Sequence, residues 1–232
     1  MIEVQGVTKT YGKKKNVFTA LDDVSFTIPD GASVAIIGKS GSGKSTLMHV
    51  MSGLDRPEQG KIVIDGENIL TFKQKAVDKF RSNEMSFVFQ SFFVQGNESC
   101  YNNVSLPLEI AGVPLRKRRA LIMGALKAVE LDDKVKSRAK DLSGGQKQRL
   151  AIARAIVTKP KILFADEPTG NLDSTTGATI ERLLFNYNKQ NGTTLIVVTH
   201  DVDLAKKCDM QIYIKDGKVA KITSAARKGV RS

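Results

Sequence analysis

Apolar and polar positions change rhythm several times along the chain, and each rhythm predicts an element. Near the start, short apolar runs alternate with turn signals: Ile2 and Val4, then Val24, Phe26 and Ile28, then Val34 to Ile37, then Ile62-Val63-Ile64 closed by Asp65-Gly66. That spacing predicts strands, several of them in hairpins, and hence a small antiparallel sheet. Val34-Ala35-Ile36-Ile37 has no polar interruption and reads as a buried strand. From Phe72 to Arg81 the pattern becomes helical, and Ser86 to Phe89 returns to a strand that ends at Gln90. Arg116 to Leu131 places Leu121, Ile122, Ala125, Leu126 and Val129 at helical spacing, which predicts an amphipathic helix. Ile162 to Ala165 and Thr194 to Thr199 read as two further strands. Gln211 to Ile214 and Val219 to Ile222 flank the turn Lys215-Asp216-Gly217-Lys218 and predict a hairpin, followed by a loose tail from Ser224 to Ser232.

The length, 232 residues with 41% hydrophobic, suffices for one α/β core with a smaller lobe, whereas two ordinary domains would be cramped. Met1-Ile2-Glu3-Val4 lacks the basic-then-apolar order of a signal peptide, and no run approaches the ~18 apolar residues of a membrane span. A soluble, cytosolic chain is expected. Cys100 and Cys208 stand far apart without a CxxC pattern, so both read as ordinary thiols. The net charge of +12 admits solvated faces, an anionic membrane surface or nucleic acid. Its clusters, Lys13 to Lys15, Arg116 to Arg119, Lys206-Lys207 and Arg227-Lys228, are spread along the chain. No aromatic residues interleave with them, which puts solvated faces first and nucleic acid last.

The chemistry concentrates in Gly38-Lys39-Ser40-Gly41-Ser42-Gly43-Lys44-Ser45-Thr46, between the buried strand and the helix-like run from Leu47 to Met51. Glycines let backbone N–H groups curl round an anion, and the following helix adds the positive end of its dipole. Lys44 can reach the β- and γ-phosphates of a nucleoside triphosphate, and the Ser45 hydroxyl can ligate Mg²⁺. Tyr11, between polar neighbours and Gly12, is either an ordinary strand-end tyrosine or a platform for a purine. Leu142-Ser143-Gly144-Gly145-Gln146 precedes a second helical run; Ser143 is a good N-cap, and the glycines permit close approach of an anion. The strand from Ile162 ends in Asp166-Glu167. Ligands in open α/β sheets sit at the carboxyl ends of strands, so these carboxylates are expected beside the phosphate loop. There Asp166 can hold Mg²⁺ through water and Glu167 can polarise the attacking water. His200 ends another strand, where a γ-phosphate contact is expected, while His49 reads as packed within its helix.

With these motifs in this order, and with Asn171-Leu172-Asp173 following Glu167, the chain resembles the nucleotide-binding subunit of ATP-binding cassette (ABC) transporters over nearly its whole length. Asp166 to Asp173 is similar to the LolD/MacB/FtsE-type subgroup. The resemblance implies a P-loop NTPase fold of the α/β class: a core with a flanking antiparallel β subdomain (1–91 and 151–232) and an inserted helical subdomain (92–150). It implies Tyr11 on adenine, Gly38 and Ser40 to Thr46 on phosphates, Ser45 and Gln90 on Mg²⁺, Glu167 as base and His200 as γ-phosphate switch. Two copies would sandwich two ATP molecules, Ser143, Gly144, Gly145 and Gln146 of one closing over the phosphates held by the other, with Asp173 a contact across the dimer. The implied activity is Mg-dependent ATP hydrolysis that drives a separate integral-membrane permease from the cytoplasmic side. Lipoprotein, peptide or drug export is favoured over import, and no nucleic acid is expected. A mechanical signalling ATPase of the cell-division type is the alternative, and a nucleic-acid-linked ABC ATPase ranks below it. After Gln90 the chain departs from the subgroup's usual Leu-Leu-Pro-like turn, reading Ser91-Phe92-Phe93-Val94-Gln95-Gly96, in the segment that faces the membrane subunit in the family.

Overall fold

In the first strand, β1 (Ile2–Tyr11), alternation does not persist to the end: Ile2 and Val4 are buried, and so are Val7 and Lys9, one residue out of phase. Gly6, at φ 59°, absorbs the extra residue as a bulge, and the register with its neighbour shifts between Val4 and Val7. The Gly6 amide is retained by the Ser25 hydroxyl at 2.8 Å. These are features of a computed structural model that describes residues 1–12 and 16–224. The clusters at Lys13 to Lys15 and Arg227-Lys228, and the tail beyond Ser224, lie outside the described residues.

The chain packs as two compact units, Met1–Asp78 with Ile196 onward, and Lys79–Leu195. In the first, β1 lies antiparallel between β2 (Phe18–Ile28) and β4 (Gln59–Ile64), with β5 (Glu67–Asn68) at the edge. The Asp65-Gly66 turn has positive φ at both positions, 52° and 85°, the geometry that favours a tight hairpin. The buried strand β3 (Ser33–Ile37) runs into the phosphate loop and then α1 (Lys44–Met51), whose Leu47, Met48, Val50 and Met51 are buried. His49 is half-buried on that helix.

The helix expected from Phe72 is α2 (Gln74–Glu84) and the following strand is β6 (Met85–Phe89). Phe72 instead ends a short 3₁₀ turn capped by the Asn68 side chain. In the second unit, α3 (Cys100–Ile110), α4 (Leu115–Ala128) and α5 (Gly144–Ile156) pack on one another. The amphipathic helix expected to reach Leu131 stops at Ala128, because Glu130 takes a left-handed φ of 57° and the Leu131 amide turns back to the Leu126 carbonyl at 2.9 Å. Parallel strands β6 and β7 (Ile162–Asp166) bring Phe87 onto Phe164, with ring centroids 5.2 Å apart. Next comes α6 (Ser174–Asn191), ended by Gly192 at φ 65°. The unit boundary falls inside β8 (Thr194–Thr199). The first unit then resumes with α7 (Val202–Lys206), β9 (Met210–Lys215) and β10 (Lys218–Ser224). Here β9 pairs in parallel with β3 and antiparallel with β10, through the expected Asp216-Gly217 turn.

Candidate nucleotide site

The phosphate loop belongs to the first unit, and its glycines have different causes. A Cβ on Gly38 would run into the Ile214 carbonyl, and one on Gly43 into that of Ala20, so close backbone packing demands both. Gly41 has φ 75°, and a Cβ there would meet nothing within 4 Å. Its left-handed backbone opens onto free space. The Ser42 carbonyl accepts from the Gly217 amide at 3.1 Å, which braces the loop on the β9–β10 turn. Lys44 Nζ donates to the carbonyls of Gly38 at 2.8 Å and Lys39 at 2.9 Å, so its ammonium is folded over the loop that it would serve. α1 begins at Gly43 with no side-chain cap and no acidic residue in its first turn. The positive end of its dipole is therefore left for an anion. The Ser42 hydroxyl is buried without a protein partner. An open glycine, an uncapped helix start and a pre-placed lysine fit a polyphosphate.

Tyr11 is 41% exposed, yet it is fixed at its tip: the hydroxyl donates to Asp55 Oδ2 at 2.7 Å. Lys9 Nζ lies 5.0 Å from the ring centroid and bonds Asp55 Oδ1 at 2.9 Å and the Arg56 carbonyl at 2.6 Å. Burial and the Asp55 bond push the Tyr11 hydroxyl pKa up, while the Thr46 side chain draws it slightly the other way. Burial opposes the charge on Lys9, but Asp55 and Glu58 hold its pKa above the ordinary value. The ring is thus tethered beside Thr46 with an exposed surface for a flat partner. The two residues that anchor Tyr11, Lys9 and Asp55, carry no motif and were not legible in the sequence. His200, exposed, follows β8 directly, and Asp201 after it caps α7 by accepting from the Asp203 and Leu204 amides at 2.8 and 3.1 Å.

In the second unit, Phe89 and Asp166 are register partners at the carboxyl ends of β6 and β7, which sets Gln90 beside Glu167. Gln90 and Asn171 lace the two loops together: Gln90 Nε2 donates to Asn171 Oδ1 at 3.1 Å, and Asn171 Nδ2 donates to the Gln90 carbonyl at 3.2 Å. Gly170 leaves room for this, since a Cβ there would sit 2.8 Å from Gln90 Nε2. Glu167 has φ 43°, an uncommon conformation for glutamate, and precedes Pro168. Asp173 caps α6 through the Thr176 amide at 3.0 Å, a local task that the sequence reading did not assign; bonds from Thr176 keep its carboxyl below the ordinary range.

Ser143 caps α5 as expected, and Gln146 closes the capping box: the Ser143 hydroxyl accepts from the Gln146 amide at 3.3 Å, and Gln146 Oε1 accepts from the Ser143 amide at 2.9 Å. Gly145 is demanded by packing, because a Cβ would run into Thr176 Cγ2 on α6. Gly144 is not, since its nearest neighbours would be 3.9 Å away. The divergent segment after Gln90 is held in place, Arg154 donating to the Phe93 and Phe92 carbonyls at 2.6 and 3.3 Å and Asn103 Oδ1 accepting from the Gln95 amide at 2.7 Å. Among the described residues no group of three His, Cys, Asp or Glu could hold a metal. A hydroxyl, an amide oxygen and one carboxylate suit Mg²⁺, which keeps several waters and takes other oxygens from a substrate's phosphates. Both cysteines are buried, and neither is in a disulfide.

The fold is that of an α/β nucleotide-binding ATPase with mixed sheets. The ABC transporter family profile matches residues 21–170. The chain is 40% identical over 219 residues to the lipoprotein-releasing system ATP-binding protein LolD of Syntrophus aciditrophicus, covering 94% of this chain and 98% of that one. To an uncharacterized ABC transporter ATP-binding protein of Methanocaldococcus jannaschii, MJ0796, it is 40% identical over 223 residues, 94% of this chain and 95% of the relative. The dimeric structure of MJ0796 superposes with a TM-score of 0.88 at 38% identity, covering 97% of this chain and 98% of that one. A second dimeric structure of MJ0796, in a post-hydrolysis state bound to ADP and Pi, gives 0.87. The chain belongs to the ABC transporter family, as an ATP-binding and ATP-hydrolysing subunit. No helix among the described residues is long and apolar enough to cross a membrane.

Proposed function

We propose that this ATPase works as a pair of copies, peripheral to the cytoplasmic face of a membrane, and drives a separate integral-membrane permease. In each copy Lys44 and the backbone from Gly41 to Thr46 hold the phosphates, with Gly38 and Ser40 shaping the loop, and Tyr11 stacks on the adenine. Ser45 and Gln90 hold Mg²⁺ directly and Asp166 holds it through water; the ion supplies charge neutralisation on the phosphates when bound. Glu167 accepts a proton from the attacking water, and His200 contacts the γ-phosphate. Ser143 to Gln146 and Asp173 of the second copy complete the arrangement. The helical subdomain, 92–150, passes the movement to the permease.

One contrast carries this reading. α1 begins without a cap, whereas α5 satisfies its own start with the Ser143–Gln146 box and still keeps at its exposed tip a glycine, Gly144, that packing does not require. A self-capped helix start with a spare glycine suits an anion presented from outside, by another copy. The dimeric MJ0796 structures support the pairing, and the lipoprotein-releasing name of several relatives supports lipoprotein-type export among the expected kinds of cargo. The test is Glu167→Gln, studied by size exclusion with and without Mg-ATP. An ATP-dependent dimer with turnover lowered by about 100-fold or more is expected. A monomer at saturating ATP, or near-normal turnover, would refute the pairing or the base assignment respectively.

A further inference from the structure

Gln148 is wholly buried, at 0% exposure, one turn into the helix that Ser143 caps. Its Nε2 donates to the Pro168 carbonyl at 2.7 Å and, over a longer 3.4 Å, to the Phe89 carbonyl. Pro168 is the residue after Glu167, and Phe89 the residue before Gln90. One amide therefore joins the start of α5 to the backbone on either side of the two loops that carry the base and the Mg²⁺-facing glutamine. Both acceptors are carbonyls, so the orientation of the amide is fixed by them rather than chosen. Its Oε1 is buried and has no protein partner. Retaining a half-used amide in the interior works against stability, where a methionine of similar length would pack without that cost. Stability alone does not account for glutamine here.

What the amide does follows from where its stronger bond falls. Glu167 sits at φ 43° just before a proline, a conformation held only if its surroundings over-determine it. The Pro168 carbonyl is the first backbone acceptor beyond that strained residue, and Gln148 pins it. We infer that Gln148 is a positioning residue: it ties the tilt of α5, and so the engagement of Ser143 to Gln146 with an anion, to the placement of the Glu167 carboxylate and of Gln90. The inference rests on the proposed roles of Glu167 and of the paired copies. Gln148 touches no reacting atom itself; it makes the base follow the helix.

The test compares Gln148→Met, Gln148→Leu and the parent in steady-state ATP hydrolysis, with thermal melting of each and with Glu167→Gln measured alongside. Losing the amide should lower kcat by about tenfold, leave KM for ATP within about twofold, and leave the melting temperature unchanged or higher. The proposed pairing predicts a rate that rises cooperatively with ATP, and losing the amide should flatten that dependence, since the base would no longer follow α5. Introduced into Glu167→Gln, Gln148→Met should still permit the ATP-dependent dimer. Unchanged kcat and cooperativity in either folded variant would overturn the inference. So would a fall in kcat that tracks a fall in melting temperature across both variants, because that is the signature of packing alone. Retained turnover in Glu167→Gln would instead condemn the base assignment, whatever Gln148 does.

Discussion

Asp55→Ala probes the anchor of the tyrosine directly. The Asp55 carboxylate accepts from Lys9 Nζ at 2.9 Å, from the Tyr11 hydroxyl at 2.7 Å and from the Arg56 amide at 2.7 Å. The Lys9 side chain is only 10% exposed and that of Asp55 31%, so truncation strands a nearly buried ammonium. Removing one partner of a fully buried pair costs about 3–5 kcal/mol. Here the partial exposure of Asp55 screens the pair, and Glu58 Oε1 remains 3.6 Å from Lys9 Nζ, so the loss should be nearer ~2 kcal/mol. With no tryptophan in the chain, urea unfolding is best followed by circular dichroism. The cycle of Asp55→Ala, Lys9→Met and the double variant should give a coupling of about 1 kcal/mol, because the pair accounts for only part of what Asp55 does. The same Asp55→Ala protein should show KM for ATP raised several-fold with kcat nearly unchanged, as expected for a loosened binding platform remote from the chemistry. Additivity within ~0.3 kcal/mol would refute the energetic argument, and an unchanged KM would refute the link from the anchor to nucleotide binding.

The two glycines of α5 should separate on substitution. Gly145→Ala forces a methyl into Thr176 and should destabilise by ~1–3 kcal/mol, whereas Gly144→Ala meets only ordinary contacts, should gain up to ~1 kcal/mol in helix stability and should lower ATPase activity at least tenfold, as read by melting and turnover. On Asp55, burial opposes ionisation but hydrogen bonds from Lys9, Tyr11 and the Arg56 amide outweigh it and hold the carboxyl below its ordinary range. Its contribution is therefore complete above the unfolded value of about 4 and is lost as pH falls through the lower folded value, so the penalty of Asp55→Asn measured at pH 7 should shrink below about pH 4. Burial pushes the Cys100 thiol up and Cys208 is equally enclosed, so a thiol reagent should modify both far more slowly in native protein than in urea; rapid labelling of native protein would contradict their burial.

Features built from near neighbours in the chain were legible without the fold. Residues at most three apart form the Ser143–Gln146 box, and the Asp65-Gly66 and Asp216-Gly217 turns are dictated by which residues accept positive φ. The loop between β3 and α1 was equally legible, because its glycines, lysine and serine are gathered in one short segment. Helix ends were less so. α4 was expected to reach Leu131, but Glu130 accepts a left-handed turn where its carboxylate meets Arg149 Nη1 at 3.3 Å, a contact 19 residues away. α6 carries local signals at both ends, the Asp173 cap and the left-handed Gly192, but Asp173 also closes the Asp166 to Asp173 motif, so residue type alone does not separate a cap from chemistry there.

The sequence by itself determined which segments can take a phosphate, which strands deliver carboxylates to their ends, and which family the chain resembles. Each of those depends on residue type and short spacing. Tertiary structure alone decided that Lys9 and Asp55 hold Tyr11, that Asn171 answers Gln90 from 81 residues away, and that Gln148 reaches the loops of both Gln90 and Glu167. Such bonds depend on strand register and helix tilt, which no local period encodes, and they reward a side chain only for where the rest of the chain has put its partner.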